Sequence, residues 1–177
     1  AIRINPQNAN NYYNLAISLS ESGRVDNAEK SYKKAILVDP KHVGSYNNLA
    51  LLHEARGQTK EALNIAKKVL TFENNHSTTN YSIGLLCLLL GNFKEGWKYF
   101  EYRWKAPQFN KTTWPLQDKP MWKGERGKHV VLWKEQGIGD QIIFLSLVPE
   151  VKKMCSRLSV YVDPRLGSLC RRAMPEI

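Results

Sequence analysis

The stretch HVVLWKEQGIGDQIIFLSLVP, residues 129–149, joins a short apolar run to a glycine-rich turn and then to a second apolar run. The first run, Val130 to Trp133, is short and rich in β-branched residues, which predicts a buried strand. Gly137, Gly139 and Asp140 then interrupt the run and open a helix. The stretch therefore predicts the start of a βα unit, and everything before it has the pattern of a scaffold.

The two glycines of this turn suggest a ligand site. Glycine allows positive φ and close approach of a ligand to the backbone, and the helix start beyond it presents free N–H groups. An anionic or hydroxyl-bearing substrate could therefore bind at this turn. The alternative is that the glycines merely allow a tight turn, because a lone G-x-G is a weak signal.

Composition sets limits on fold and partners. The chain has 177 residues, 42% of them hydrophobic, which is enough for one large domain or two small ones. The longest apolar run, Leu85 to Leu90, is too short to cross a membrane, so we expect no transmembrane segment. A net charge of +10 favours acidic partners, such as nucleotide phosphates, nucleic acid or an anionic membrane surface.

The cysteines and the first residues bear on compartment. Cys87, Cys155 and Cys170 form no C-x-x-C or Cys/His spacing, so we expect a reducing compartment, no metal and no cofactor. The opening residues AIRINP do not have the pattern of a signal peptide, and we predict a cytoplasmic protein. Residues 1–8 fit the tail of an earlier repeat, so the chain is expected to be a fragment of a longer protein.

An internal repeat organises the first part of the chain. Gly23, Gly57 and Gly91 recur every 34 residues, and Ala28, Ala62 and Gly96 recur beside them with the same spacing. Aligned on these glycines, the first copy resembles the tetratricopeptide template at Tyr12, Leu15, Ala16, Ala28, Tyr32, Ala35 and Pro40. The second copy carries Tyr46, Leu49, Ala50, Gly57 and Ala62, and the third Ile83, Gly84, Gly91 and Phe100. Repeats are therefore predicted near residues 9–42, 43–76 and 77–110, within an array that spans residues 1–104.

Each repeat should be a pair of antiparallel helices. Small residues such as Ala16 and Ala28 let two helices cross closely, and the central glycine ends the first of them. The predicted helices cover residues 10–22, 26–38, 44–56, 60–72, 78–90 and 94–104.

The first helix of each pair should line a concave groove. Asn14 and Asn48 are equivalent there, and with the neighbouring Tyr13 and Asn47 they resemble the asparagine ladder by which some tetratricopeptide proteins, including O-GlcNAc transferases, hold peptide backbone. A protein or peptide partner is therefore expected. The alternative is that asparagine is ordinary at this repeat position, where the third copy has Ser82.

Two lysine pairs also recur with the repeat. Lys33 with Lys34 and Lys67 with Lys68 are interpreted as solvated surface, because a nucleic-acid stripe would need aromatic side chains or more arginines among these lysines. We therefore expect no nucleic acid partner.

The last predicted helix carries an aromatic stripe, Trp97, Phe100 and Trp104, at helical spacing. A stripe of this kind is more often core than a carbohydrate-stacking platform, and we expect it to be buried against Trp114, Trp122 or the first strand. Prolines and a turn-rich segment at residues 105–128 predict a connector without regular structure.

Residues 129–177 are predicted to form a truncated βαβα unit with a parallel sheet. Its helix from Asp140 to Leu147 should be kinked or ended by Pro149, which lacks an N–H. A second strand follows at Leu158 to Val162, and a second helix at Pro164 to Ala173.

Two segments and Pro149 carry a resemblance to a known family: GNFKEGWKYFEYRW (91–104) and PMWKGERGKHVVLWKEQGIGD (120–140). Together they resemble bacterial proteins in which tetratricopeptide repeats precede a glycosyltransferase-like domain akin to the ADP-heptose lipopolysaccharide heptosyltransferases. The resemblance implies a GT-B fold, of which this chain contains the start of the N-terminal, Rossmann-like half. It also implies a nucleotide sugar, bound by the full-length protein only. Asp140 would be the general base and Gln136, Gly137 and Gly139 would contact substrate, so the full-length protein would be a transferase and this fragment inactive alone.

The chain departs from that family at one site. Where the family usually reads Gln-Phe-x-Arg-Tyr, this sequence has Ile143, Phe144, Leu145, Ser146 and Leu147, which puts acceptor recognition in doubt. Two other interpretations stay open. One is a dinucleotide site, with Asp163 holding ribose at the end of the second strand. The other is a non-catalytic interaction scaffold whose Rossmann-like part is degenerate.

Overall fold

The computed structural model describes residues 2–106, 119–135 and 137–175. The chain divides into two compact units, Ala1–Lys111 and Thr112–Ile177. Trp114 and Gln136, both named above, lie outside the described residues.

The first unit is helical throughout its regular structure. Its described part consists of α1 (Ala9–Glu21), α2 (Val25–Val38), α3 (Val43–Ala55), α4 (Thr59–Val69), α5 (Ser77–Leu89) and α6 (Phe93–Phe100), followed by a 3-10 helix at Glu101–Lys105. The predicted helical solenoid is confirmed. The helix predicted at residues 94–104 is divided, because its α-helical part ends at Phe100.

Glycines end the first helix of each pair. Gly23, Gly57 and Gly91 have φ of 75°, 74° and 78°, in the left-handed region that favours glycine. In each case the next residue donates its N–H to a carbonyl five residues back: Arg24 to Leu19 (2.8 Å), Gln58 to His53 (2.9 Å) and Asn92 to Cys87 (2.9 Å). These bonds satisfy carbonyls that the helix end would leave without a partner.

Small residues let the paired helices approach closely. Ala16, Ala28 and Ala62 are completely buried. In the third pair, glycine is the small residue at the helix crossing. A Cβ on Gly84 would stand 2.6 Å from the backbone nitrogen of Phe100, and one on Gly96 would stand 2.7 Å from the Leu88 side chain. The core of the unit runs continuously from the first pair to the third.

The predicted burial of the aromatic stripe is wrong for Trp97. Its side chain is 52% exposed and contacts Phe100 edge-on, with the ring centroids 5.4 Å apart. Phe100 and Trp104 are half-buried, and the Arg103 guanidinium lies over both rings, 4.6 and 4.4 Å from their centroids.

The second unit is a small α/β unit. Its described elements are β1 (His129–Trp133), α7 (Ile138–Leu145), α8 (Val148–Met154), β2 (Arg157–Tyr161), a 3-10 helix at Pro164–Leu166 and α9 (Gly167–Ala173). The strands are parallel, with Val130 opposite Leu158 and Leu132 opposite Val160. Pro149 lies in the first turn of α8, where its missing N–H costs no helical bond.

The core of the second unit is formed by Val130, Val148 and Leu158, with Leu145 and Val151 packed against them. The described residues contain a two-stranded parallel sheet, which by itself does not confirm the predicted Rossmann-like start. Residues 119–128 contain neither helix nor strand, and Gly124 and Gly127 there have φ of 93° and 72°.

Candidate functional site

The first helices of the repeats lie side by side. His42 at the start of α3 bonds through Nε2 to Asn10 Oδ1 of α1 (3.1 Å), and Thr79 of α5 donates its hydroxyl to Asn47 Oδ1 of α3 (2.7 Å). These bonds join α1 to α3 and α3 to α5. We call the outward-facing residues of α1, α3 and α5 the first-helix surface.

Asn48 serves the fold rather than presenting a free amide. Its Nδ2 donates to the hydroxyls of Tyr13 and Tyr32, both at 3.3 Å. Tyr32 is 3% exposed, and burial raises the pKa of its hydroxyl although the bond from Asn48 opposes that shift. The Asn48 amide therefore joins α3 to both helices of the first repeat, contrary to the expectation of a free ladder residue.

The other candidate groove residues differ in exposure and in their hydrogen bonds. Asn14 is exposed, and its side chain has no hydrogen bond within the described part of the chain. The Asn47 oxygen is occupied by Thr79. Tyr13 is half-buried, with its ring 5.0 Å from that of His42. Asn14 is thus the candidate whose whole amide faces solvent.

Sequence reasoning missed an apolar row on the first-helix surface. Ile17, Leu51 and Leu85 are equivalent at the repeat spacing, and Leu51 in the middle is 62% exposed. Ile17 and Leu85 are half-buried. The same spacing that revealed the asparagines would have revealed this row.

The glycines of the turn after β1 do not have left-handed backbone. Gly137 has φ −59° and ψ 168° and is the N-cap residue of α7, while Gly139 lies inside the first helical turn. The described residues with positive φ are Gly23, Gly57, Gly91, Gly124 and Gly127, so Gly137 and Gly139 do not use the conformation that glycine alone adopts easily. A Cβ on either glycine would meet no backbone, which means that steric need does not explain them.

Asp140 stands exposed in the first turn of α7, directly after β1. Its Oδ2 lies 3.5 Å from the point where a Cβ on Gly137 would stand. The carboxylate is therefore held near the helix start, where the free N–H groups favour negative charge.

Asp163 at the end of β2 is engaged by its neighbour Arg165. Asp163 Oδ1 accepts from the Arg165 backbone N–H (3.1 Å) and Nε (2.9 Å), and Oδ2 accepts from a terminal guanidinium nitrogen (3.2 Å). The side-chain bond from Arg165, followed by the backbone bond, lowers the pKa of Asp163 to about 2. These bonds occupy the carboxylate that the dinucleotide interpretation assigned to ribose.

Gln141 was not singled out from the sequence. It is 8% exposed, and its Oε1 accepts from the Asp163 backbone N–H at 2.9 Å. It joins α7 to the end of β2, and so fixes the helix that carries Asp140 relative to the sheet.

An apolar cavity of about 280 Å³ lies beside these strand ends. Leu132, Phe144 and Val160 are among the residues that line it. Trp133 and Tyr161 also line it, and their rings stack with 4.0 Å between centroids and an interplanar angle of 7°. Its lining is mostly apolar, which suits a ring or an alkyl group, and Lys134 and Glu135 add one charge of each sign.

The helical pairs, the glycine ends and the small crossing residues are features of a helical repeat architecture. Residues 7–75 match the family described as Tetratricopeptide repeat. These residues contain tetratricopeptide repeats. The match ends before α5, which begins at Ser77.

One curated relative is Protein FlbA of Caulobacter vibrioides, which is 31% identical over 102 residues. The match covers 52% of this chain and 16% of that protein. The chain therefore spans about a sixth of the length of this relative.

Solved structures show the same helical fold. A tetratricopeptide repeat protein from Parabacteroides merdae is 27% identical, with a TM-score of 0.53 over 63% of this chain and 44% of that one. YrrB, described as a TPR protein with an unusual peptide-binding site, is 23% identical, with a TM-score of 0.56 over 62% of this chain and 57% of that one.

The second TPR of Spaghetti (RPAP3), solved with the HSP90 peptide SRMEEVD, is 19% identical. Its TM-score is 0.51 over 55% of this chain and 91% of that one.

Within the residues that the structure describes, no helix is long and apolar enough to cross a membrane.

Proposed function

We propose that the tetratricopeptide unit binds a peptide on the first-helix surface. The observation that carries the proposal is Leu51, which is 62% exposed at the centre of the surface formed by α1, α3 and α5. Leu51 is exposed on a helix that hydrogen bonds hold against its two neighbours, so its side chain offers an apolar contact at a fixed position for a peptide side chain. Asn14, one helix away, can donate to and accept from peptide backbone.

Two further observations support a peptide as the ligand. The solved Spaghetti repeat domain holds a peptide, and YrrB is described as having a peptide-binding site, although at these identities the likeness shows the fold alone. The net charge of +10 favours an acidic peptide, because opposite charge raises the rate of encounter.

The role of Asn48 differs in this proposal from that of Asn14. Because both amide protons of Asn48 are donated to Tyr13 and Tyr32, it positions α3, and its remaining oxygen can accept from a peptide N–H. Asn47 likewise serves the bond to Thr79. The ladder is thus reduced to one free amide, at Asn14, beside an apolar row.

The test is a peptide-array screen of the intact chain with Leu51→Glu and Asn14→Ala. Leu51→Glu should abolish binding to the captured peptides, and Asn14→Ala should weaken it several-fold. The matched control is Leu37→Glu, since Leu37 is a 71% exposed leucine of α2, away from the first helices. Equal binding by Leu51→Glu and Leu37→Glu would refute the proposal.

A second function is favoured by the geometry of α7. We infer that the second unit is the start of a sugar transferase domain in a longer protein, with Asp140 as general base. The exposed carboxylate stands at a helix start, at the carboxyl end of a parallel strand, where ligands bind in open α/β sheets. A carboxylate there stays ionised and can accept a proton from an acceptor hydroxyl.

The test uses the longer protein, because donor binding in GT-B enzymes requires a half that this chain does not contain. Asp140→Asn keeps the size of the side chain in the first turn of α7, but the amide cannot act as a base and accept a proton. Transfer of labelled sugar should therefore fall by about 10²- to 10⁴-fold. The control is Glu150→Gln, an exposed carboxylate on α8. Unchanged transfer in Asp140→Asn would leave Asp140 structural, and absence of transfer by the unmodified protein would favour a non-catalytic scaffold.

A further inference from the structure

Positive charge is absent from the first helices of the repeats. No lysine or arginine lies in α1, α3 or α5, all of whose residues the structure describes. The second helices α2, α4 and α6 instead carry eight lysines: Lys30, Lys33, Lys34, Lys60, Lys67, Lys68, Lys94 and Lys98. The first-helix surface therefore differs in charge from the whole chain, whose net charge is +10.

Two carboxylates lie at one edge of the first-helix surface. Glu21 is exposed, four residues after Ile17, and Glu54 is half-buried, three residues after Leu51. These spacings place each carboxylate on the same side of its helix as the apolar residue before it. Both acidic residues are in the last helical turn, where carbonyl groups without a helical partner add negative potential. This edge therefore attracts a cation and repels an anion.

The middle of the surface offers uncharged contacts. Leu51 is 62% exposed, Asn14 is exposed, and Ser82, the equivalent of Asn14 on α5, is half-buried. An amide or a hydroxyl can bond to peptide backbone, but neither neutralises a carboxylate. A carboxylate held here would lose water without gaining a cation as its partner, and burial of an unpaired charge is unfavourable. The surface therefore suits a segment without acidic side chains.

The cations around the first helices lie in the connecting segments. The segments that precede α1 and join α1 to α6 carry four of them within the described residues: Arg3, Arg24, Lys41 and Arg56. Arg56 is already bonded to Asp26 and Glu29 of α2. Arg3 lines a hollow together with Asn14, so its part in peptide binding is the one that an experiment has to measure.

We propose that the peptide held on the first-helix surface is a segment without Asp or Glu, with an apolar side chain on Leu51 and a Lys or Arg at the edge that carries Glu21 and Glu54. This proposal rests on the peptide-binding function given above and names the class of peptide. Glu54 lies one helical turn from Leu51, about 5 Å, which a neighbouring Lys or Arg side chain can span. The charge of +10 still attracts an acidic partner at long range, but the segment that this partner inserts is an uncharged or basic one.

The experiment uses an array of seven-residue peptides of random sequence, which are long enough to cross three helices about 10 Å apart. The array is probed with the intact chain and with Leu51→Ala. Peptides that bind the intact chain but not Leu51→Ala form the Leu51-dependent set. In this set Asp and Glu should occur at less than half, and Lys and Arg at more than twice, their frequency in the whole array.

The array separates two kinds of failure. A Leu51-dependent set that is rich in Asp or Glu would overturn this proposal and leave the peptide site on the first helices in place. An empty set, in which no bound peptide depends on Leu51, would overturn the peptide-binding function and this proposal with it.

Two double variants of equal net charge show whether the surface or the whole chain selects the peptide. Glu21→Lys with Glu54→Lys places cations at the edge of the surface. Glu61→Lys with Glu73→Lys makes the same change at exposed residues of α4 and of the segment after it, outside the first helices. In fluorescence anisotropy, affinity for Lys- or Arg-containing peptides of the set should fall at least fivefold in the first double variant and less than twofold in the second. Equal losses would show that net charge decides and would overturn the proposal.

Arg3→Gln measures the part of the remaining cation. Affinity for the same peptides should stay within twofold of that of the unmodified chain, because no acidic group of the peptide is bound at Arg3. A larger loss would place an acidic group there and overturn the proposal. Circular dichroism and thermal melting check that each variant keeps its fold.

Discussion

Gly84 sits where the third repeat has no space for a side chain. A Cβ there would stand 2.6 Å from the Phe100 backbone nitrogen, and backbone cannot move aside as a flexible side chain can. Overpacking of this kind costs about 1 to 3 kcal/mol. Alanine is also the better helix former by about 1 kcal/mol, so Gly84→Ala should lower the free energy of unfolding by up to about 2 kcal/mol, as measured by urea titration.

Gly44 supplies the matched control for that substitution. It also lies in a first helix, but a Cβ there would meet the movable ring of Tyr13 at 3.2 Å. Alanine is also the better helix former by about 1 kcal/mol, which offsets the contact. Gly44→Ala should be close to neutral, and a cost as large as that of Gly84→Ala would show that backbone contact is not the cause.

Glu29 makes the stability of the repeat unit depend on pH. Its bond to Lys33, followed by that to Arg56, lowers the pKa of the carboxyl from its ordinary value of 4.5, although burial opposes the shift. A carboxyl with a lower pKa in the folded state stabilises the fold above pH 4.5, and this contribution is lost as the pH falls through the folded-state value.

We therefore expect Glu29→Gln to lower the melting temperature most at neutral pH and progressively less toward pH 3. The control is Glu61→Gln, since Glu61 is exposed on α4 and has no ion pair among the described residues. A gap between Glu29→Gln and the unmodified chain that stays constant with pH would contradict this account.

At the scale of helices, histidine begins two of the repeats. His42 and His76 precede α3 and α5, and each accepts through Nδ1 a backbone N–H three residues on, from Ser45 (3.1 Å) and Thr79 (3.2 Å). Each imidazole thus caps its helix, as the Asn8 side chain caps α1 by accepting from the Asn10 N–H. These caps were not predicted, because histidine is not among the usual capping residues.

His76→Ala should lower the free energy of unfolding by about 0.5 to 2 kcal/mol, the usual cost of losing a cap. His76→Asn should restore most of it, because asparagine caps a helix in the same way. Chemical denaturation of both variants measures the difference. Equal losses in the two variants would show that His76 acts by packing rather than by capping.

The repeat spacing predicts elements better than it predicts contacts. It places the six α-helices described in the first unit and the three glycines that end the first helix of each pair, because each of these ends requires positive φ at the same position of the repeat. It cannot show that Tyr13 and Tyr32 occupy the Asn48 amide, since that contact depends on how three helices pack. For Gly137 the sequence leaves open whether the glycine serves a ligand or a turn, and its φ of −59° is a value that any residue can adopt.

At the scale of the whole molecule, the two units differ in how much apolar surface each buries. The first unit has a core that continues through three helical pairs, whereas the second has Val130, Val148 and Leu158 at its centre. In the second unit Ile142, Ile143 and Phe144 of α7 are 50%, 68% and 52% exposed. Parallel sheets are ordinarily covered on both faces, so a two-stranded one has little to stabilise it.

Hydrogen exchange should therefore distinguish the two units of the intact chain. Amides of β1 and β2 should exchange faster than those in the middle of α3, α4 and α5, because the free energy of local opening rises with the apolar area that opening exposes. Mass spectrometry of peptides covering β1, β2 and α3 measures this directly. Val130→Ala should accelerate exchange in β1 and β2, because the residue is 3% exposed at the centre of the smaller core. Ala50→Gly, in a buried position of α3, should instead accelerate exchange in the helices of the first unit. Equal protection of strands and repeat helices would contradict the ranking.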